Sequence, residues 1–334
     1  MISKSTARSI NASLRRMERN AQRRRKELQR QQKELAKMQE QERNRYEVAV
    51  YENYIDLISS VHKECSESWD WRAILTSREP IAPEYSNANE RVAEAALTSY
   101  TPGIVDKIFK REAKKRAMFE KDVATARQKD REVYDAAMKQ YQDEMEEVKG
   151  LKKLASSILS GDMEAFTSAI ESTNPFSDIQ SIGSQLSFRL SAPWYIEATL
   201  QVNGDEVIPT QEKSLTASGK VSSKNIPTGR RNEIYQDYVC GCVLRVAREL
   251  FALLPIEMVI VHAMGELLNT STGRMEVQPI LSVAISRPTL DRFNFDTIDC
   301  SDSLKNFVHT MNFSKTRGFS AVEMLQASSF APAT

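Results

Sequence analysis

The side chains best suited to hold a metal or attack a substrate are scarce in this chain: four cysteines and three histidines among 334 residues. Two of the cysteines, Cys240 and Cys242, lie one residue apart in RNEIYQDYVCGCVLRVARELFALLP, residues 231–255. Val239, Val243, Val246, Leu250 and Leu254 recur there at steps of three and four, or close to it, which predicts a helix. Positions two apart on a helix diverge by about 200°, at about 100° per residue. The two thiols therefore face opposite sides, where they cannot share a metal or close a disulfide. Cysteine is also small and commonly buried, so both are read as core. The intervening Gly241 would cost a helix about 1 kcal/mol, which predicts that a neighbouring element approaches closely there.

The other candidates are weaker. His62 and Cys65 are spaced to share a helix face, but a metal would need two more ligands, and the remaining histidines are His262 and His309. The stretch DTIDCSD supplies Asp296, Asp299 and Asp302, a carboxylate cluster that attracts a cation or, more cheaply, caps a helix. Glu233 and Asp237 share a helix face without a companion base or nucleophile. A serine-hydrolase elbow of the G-x-S-x-G type is missing, and SGKVSS lacks the upstream glycine of a phosphate-binding loop. The Glu-x-Lys spacing of metal-dependent nucleases occurs at Glu112–Lys114 and Glu147–Lys149, both on a predicted helix, where it loses its meaning. The reading is no catalytic residue, no metal and no cofactor. Arg245, Arg248, Asp296 and Asp299 stand as a candidate surface site.

The elements that would position these residues fall into blocks. Residues 5 to about 65 hold neither glycine nor proline. Ile10, Leu14, Met17, Ala21, Leu28, Leu35 and Met38 form a gapped a/d seam, with Arg24, Gln31, Glu42 and Arg45 at places meant for apolar residues. The phase slips after Tyr46 and continues through Val50, Tyr54, Leu57 or Ile58, and Val61. Residues 76–103 predict a loop, a short helix and a stop at Pro102-Gly103. A second long helix is expected from about Ile104 to Val148. The two long helices predict an antiparallel coiled-coil hairpin over residues 1–150. Residues 151–190 read as a helical connector with Asp162 as a cap. Residues 191–334 read as an α+β domain with a helix on one face of a mainly antiparallel sheet. Its strand candidates are WYIEATLQV, EVIP, SLTASGKVS, and the hairpin EMVIVHAM and VQPILSVAIS around NTSTG.

Charge is unevenly spread. The net charge is +1, yet residues 1–31 carry ten Lys/Arg against Glu18 and Glu27. Three readings of this arm stay open. In the hairpin, residues 23–26 would lie beside Asp143, Glu144, Glu146 and Glu147 as an internal charge seam. Alternatively Arg15, Arg16, Arg19, Arg23, Arg24, Arg25, Lys26 and Arg30 bind nucleic-acid phosphates, or the arm dimerises the chain. The N-terminus shows no secretory signal, and no apolar run is long enough to span a bilayer. A cytoplasmic location with reduced thiols is expected.

The C-terminal pattern, from VIP through the 231–255 helix and MVIVHA to ILSVAISRPTLDRFNFDTIDCSD, resembles an α+β module that precedes Mrr-type restriction endonuclease domains in some bacterial proteins. There too it follows a coiled coil. The resemblance covers roughly residues 190–310. It rests on Leu244–Arg245, Glu249–Phe251, Thr272-Gly273, Leu281–Val283, Arg287 and Asp299. The stretch after it is not expected to hold an endonuclease domain, and the resemblance carries over no catalytic residue. The resemblance implies a setting in bacterial genome defence or DNA processing. The expectation is a non-enzymatic, self-associating module that recruits DNA or a partner bearing a nuclease or helicase. The alternatives are a hydrolase or nuclease with a non-standard site, and a purely structural oligomer.

Overall fold

The structure is a computed structural model that describes residue 26 and residues 40–103, 111–177 and 185–330. The seam from Ile10 to Met38 lies outside the described residues. Five helices longer than one or two turns are described: α1 (Glu40–Ser59), α2 (Ala88–Ser99), α3 (Glu112–Leu159), α4 (Met163–Thr173) and α5 (Thr228–Leu253). The strands are β1 (Gln185–Ala192), β2 (Tyr195–Gln201), β3 (Gln211–Leu215), β4 (Val221–Asn225), β5 (Met258–Asn269), β6 (Arg274–Ser286), β7 (Val308–Ser314) and β8 (Gly318–Ser320).

The described residues divide into two compact units, one within residues 73–154 and the other within residues 40–72 and 155–330. In the first, α3 is 48 residues long with no internal glycine or proline before Gly150, about 70 Å at about 1.5 Å per residue. The stretch 79–100 runs antiparallel beside it. Glu79 pairs with Lys152, Tyr85 packs edge-on against Tyr134, Glu90 meets Arg127 at 2.5 Å, and Tyr100 packs on Phe119. The start of α2 needs acceptors for its free N–H groups, and its own Asn87 supplies none. Asp130 of α3 does so instead, accepting from the backbone N–H groups of Asn89 and Glu90 at 3.3 and 2.8 Å. That role explains a buried carboxylate in the middle of a long solvated helix.

The second unit is the α+β domain. Its six-stranded sheet has the order β1-β2-β5-β6-β7-β8. All pairs are antiparallel except β2–β5, which is parallel. A parallel pair needs a crossover, and α5 lies in that connection. Strand alternation puts Ile196, Ala198 and Leu200 in register with Val259, Val261 and Ala263, and these with Ile285, Val283 and Leu281. All nine are fully buried, forming the face on which α5 packs. The helix is itself buried on every side from Tyr238 to Ala247. A stripe of apolar residues spaced by three and four therefore understates its burial: Cys240 and Cys242 do face apart, and both are fully buried.

Several sequence expectations are corrected here. EVIP is no strand: Asp205–Val207 form a 3-10 turn with Ile208 buried behind it. SLTASGKVS splits into β3 and β4, a separate two-stranded sheet. Strands β1, β7 and β8 were not foreseen; β1 alternates cleanly, with Leu186, Phe188 and Leu190 half-buried between exposed polar residues, and its first six residues fall in the stretch read as the helical connector. The connector's first nine residues are simply the end of α3. Asp162 does cap α4, accepting from the Glu164 N–H at 2.9 Å. On α1, Val48 and Ile58 are buried and Tyr51 and Ile55 half-buried; of the line Val50, Tyr54, Leu57 or Ile58, the Ile58 alternative is buried, Val50 and Leu57 are half-buried and Tyr54 is exposed, and the partners of the helix are β3, β4 and α5. Asn44 donates to the Gly219 carbonyl, Lys213 pairs with Glu47 at 2.8 Å, and Tyr54 donates to the Val207 carbonyl.

Candidate functional site

After α1 the chain makes a 3-10 turn at Val61–Lys63 and then runs extended across α5. This geometry removes the expected His62–Cys65 pair. Glu64 is already extended, so Cys65 does not share a helix face with His62. The turn passes directly over Gly241: a methyl added there would lie 3.8 Å from His62 Nδ1 and 3.7 Å from Cys300 Sγ. These are ordinary contact distances, so a methyl would fit there, and the close approach expected from the sequence does not by itself require the glycine. Burial lowers the His62 pKa, with Lys63 adding to the effect and the Phe295 carbonyl opposing it. Burial likewise pushes the Cys240 thiol far up and holds Cys242 and Cys300 at about 12. These are protonated, inert thiols, since the nucleophile and the metal ligand is the thiolate. Among the described residues no three His, Cys, Asp or Glu side chains converge as a metal site.

The candidate surface set is only partly a surface. Arg245 is buried, and its guanidinium lies 2.6 Å from the fully buried Glu249, one helical turn away, with Glu64 at 3.9 Å. Glu249 also accepts from the Ser66 N–H at 3.1 Å through both oxygens. Burial raises the Glu249 pKa, while Arg245 and Ser66 pull it back down. Arg248 donates to the carbonyls of His62 and, at 3.0 Å, Lys63. Its guanidinium stacks 3.8 Å over the Phe295 ring. Both arginines therefore fasten the 60–66 segment to α5. The physical reason is that an irregular segment laid on a buried helix leaves polar groups that need partners.

Asp296 and Asp299 lie across the same segment in different roles. Asp296 is exposed. Asp299 caps the turn Cys300–Ser303, accepting from the Asp302 N–H at 2.8 Å and the Ser301 hydroxyl at 2.9 Å. The cap is therefore Asp299. Those hydrogen bonds, led by the Asp302 N–H, hold its pKa below the usual carboxylate value. Asp302 pairs with Lys305 at 2.7 Å. Glu233 pairs with Lys315, and Asp237 sits half-buried with its pKa raised by that burial. Of the basic set, Lys26 is helical and exposed, and Arg15, Arg16, Arg19, Arg23, Arg24, Arg25 and Arg30 lie outside the described residues.

A thiol with no polar partner to satisfy packs as a small apolar group. Cys240→Ala is therefore expected to lower stability by about 1 kcal/mol, and Cys240→Ser by more, because a buried hydroxyl needs a partner. Urea unfolding of the two variants checks the order; a Ser variant as stable as wild type would show that a polar partner is at hand.

One polar pair escaped the sequence reading. His262 and Ser282, both buried, face each other across β5 and β6, with His262 Nδ1 2.8 Å from Ser282 Oγ. Counting back from the Asn269↔Arg274 pair would set His262 opposite Leu281. A bulge beside Ala263 and Met264 shifts the register and brings Ser282 there instead. Pro279, which cannot donate to a ladder, was the one signal of it in the sequence. No helix among the described residues is long and apolar enough to cross a membrane. No family model, curated protein or solved structure gives a significant match to this chain.

Proposed function

We propose that the protein is a non-catalytic recruiting module of a bacterial defence or DNA-processing system, acting in the cytoplasm. The basic run Arg15–Arg30 supplies a phosphate-binding arm, and the apolar seam from Ile10 to Met38 supplies self-association, as half of a coiled-coil hairpin with the second long helix. The observation that carries this reading is the mooring of α1. Asn44, Glu47 and Tyr54 tie the helix that follows the arm to the β3–β4 hairpin and to Val207 of the α+β unit. The arm precedes this helix in the sequence, so what it binds is recruited to a chain whose next element is packed on the α+β unit. Support also comes from Arg245 and Arg248, whose charges serve the internal segment 60–66 and leave the arm as the concentrated source of positive charge.

Sedimentation velocity with a labelled duplex and magnesium tests the reading as a whole. The expected result is an assembly heavier than the 37.9 kDa chain that co-sediments with duplex and returns it uncut. A monomer that ignores duplex at low salt, or one that shortens it, would overturn the proposal.

A further inference from the structure

The face of the sheet opposite α5 is covered by the segment Ala321–Phe330, most of it irregular. Half-buried Leu325, Ala327 and Phe330 lie on an apolar floor of Tyr195, Ile260 and Ala284. Three hydrogen bonds reach from this strap to the sheet. Val322 N–H donates to the Pro279 carbonyl at 2.9 Å, and the Thr310 hydroxyl donates to the Glu323 carbonyl at 2.7 Å. Leu325 N–H donates to Ser282 Oγ at 3.0 Å. That last contact joins the strap to the His262–Ser282 pair, which has no part in the recruiting role proposed above.

The direction of each hydrogen bond in this relay follows from its donors. A backbone N–H only donates, so Ser282 Oγ is an acceptor toward Leu325. Its own proton is then free for His262 Nδ1, which accepts it when the imidazole is neutral and carries its hydrogen on Nε2. Both bonds to Ser282 are then made at once. A protonated His262 would donate through Nδ1, and the Ser282 hydroxyl proton would lose its acceptor in a fully buried site. A charge would also be buried with the ring.

We propose that Ala321–Phe330 is a proton-gated strap: protonation of His262 leaves the Ser282 hydroxyl proton without its acceptor and buries a charge beneath the strap, which weakens the latch at Leu325 and uncovers the apolar groove along Tyr195, Ile260 and Ala284. Among the described residues, the charged groups that act on His262 are Glu197 on β2, which favours the proton, and Arg189 on β1, which opposes it. They lie 3.6 Å from each other and offset one another in part. Burial prevails and lowers the His262 pKa below its ordinary value. The sign follows. The released strap leaves a histidine near its usual value of about 6.5, so the open form binds more protons, and the latched form loses ground as pH falls below about 6.5. The loss stops below the latched pKa.

Amide exchange of the full chain, read at Val322 and Leu325 between about pH 7.5 and about pH 5.5 and corrected for intrinsic rates, measures the latch. Protection should fall by up to about ten-fold per pH unit, the limit for one proton. His262→Gln should abolish the pH dependence, and Ser282→Ala should loosen the strap at both ends of the range. Should His262→Gln fail to fold, Glu197→Gln takes its place: it removes the charge that favours the proton and should move the midpoint to lower pH. Protection that does not change with pH in the wild-type chain, a pH dependence that survives His262→Gln, or a midpoint unmoved by Glu197→Gln would overturn the proposal.

Discussion

Arg245→Met is expected to destabilise the α+β unit by about 3–5 kcal/mol, the usual result of stranding one partner of a buried ion pair. Glu249 is fully buried, and Arg245 supplies the charge that compensates it, 2.6 Å away. The Ser66 N–H remains as a hydrogen-bond donor, but a dipole cannot replace a full charge in a low-dielectric site. Removing both charges has the opposite logic. In Arg245→Met with Glu249→Leu no charge is left buried, so most of the loss should be recovered. The stacked Trp69 and Trp71 report on this region, because Trp69 N–H and Trp71 Nε1 donate to the carbonyls of Ala252 and Leu253 just beyond Glu249. Urea unfolding followed by their fluorescence compares the single and double variants. A double variant as unstable as the single would contradict this expectation and would show that packing, not charge, dominates the site.

What could be read from the sequence depended on whether the signal was local. The α5 helix, the β5–β6 hairpin, the short helix before Pro102 and the Asp162 cap announce themselves through spacing and capping chemistry within a few residues. The partners of these elements do not. Arg245 and Arg248 look like solvated charges on a helix until the segment 60–66, some 180 positions earlier in the chain, is laid over them. Asp130 looks like a surface carboxylate until α2 starts beside it. The His262–Ser282 pair depends on a bulge that shifts a register by one residue, which alternation alone does not place. Strand β1 does carry a period-two signal, Leu186, Phe188 and Leu190 between the outward Gln185, Ser187, Arg189 and Ser191, but it has no β-branched residue to reinforce it. Cys240 and Cys242 were legible because helix geometry set them apart whatever packed around them.

The recruiting role rests on the arm, so the salt dependence of duplex binding bears on it most directly. Each phosphate neutralised by Lys or Arg contributes about 0.9 to the slope of log affinity against log salt for duplex DNA. Arg23, Arg24 and Arg25 are consecutive, and replacing all three with Gln removes up to three such neutralising charges without adding one of opposite sign. The measurement is a pair of anisotropy titrations, wild type and triple variant, over a series of salt concentrations with the fold checked by circular dichroism. A phosphate-binding arm predicts weaker binding at low salt and a slope shallower by about 0.9 for each phosphate no longer neutralised. An unchanged slope, or a triple variant that binds as the wild type does while its long helices melt earlier, would contradict that role and assign the arginines to the internal seam with Asp143–Glu147.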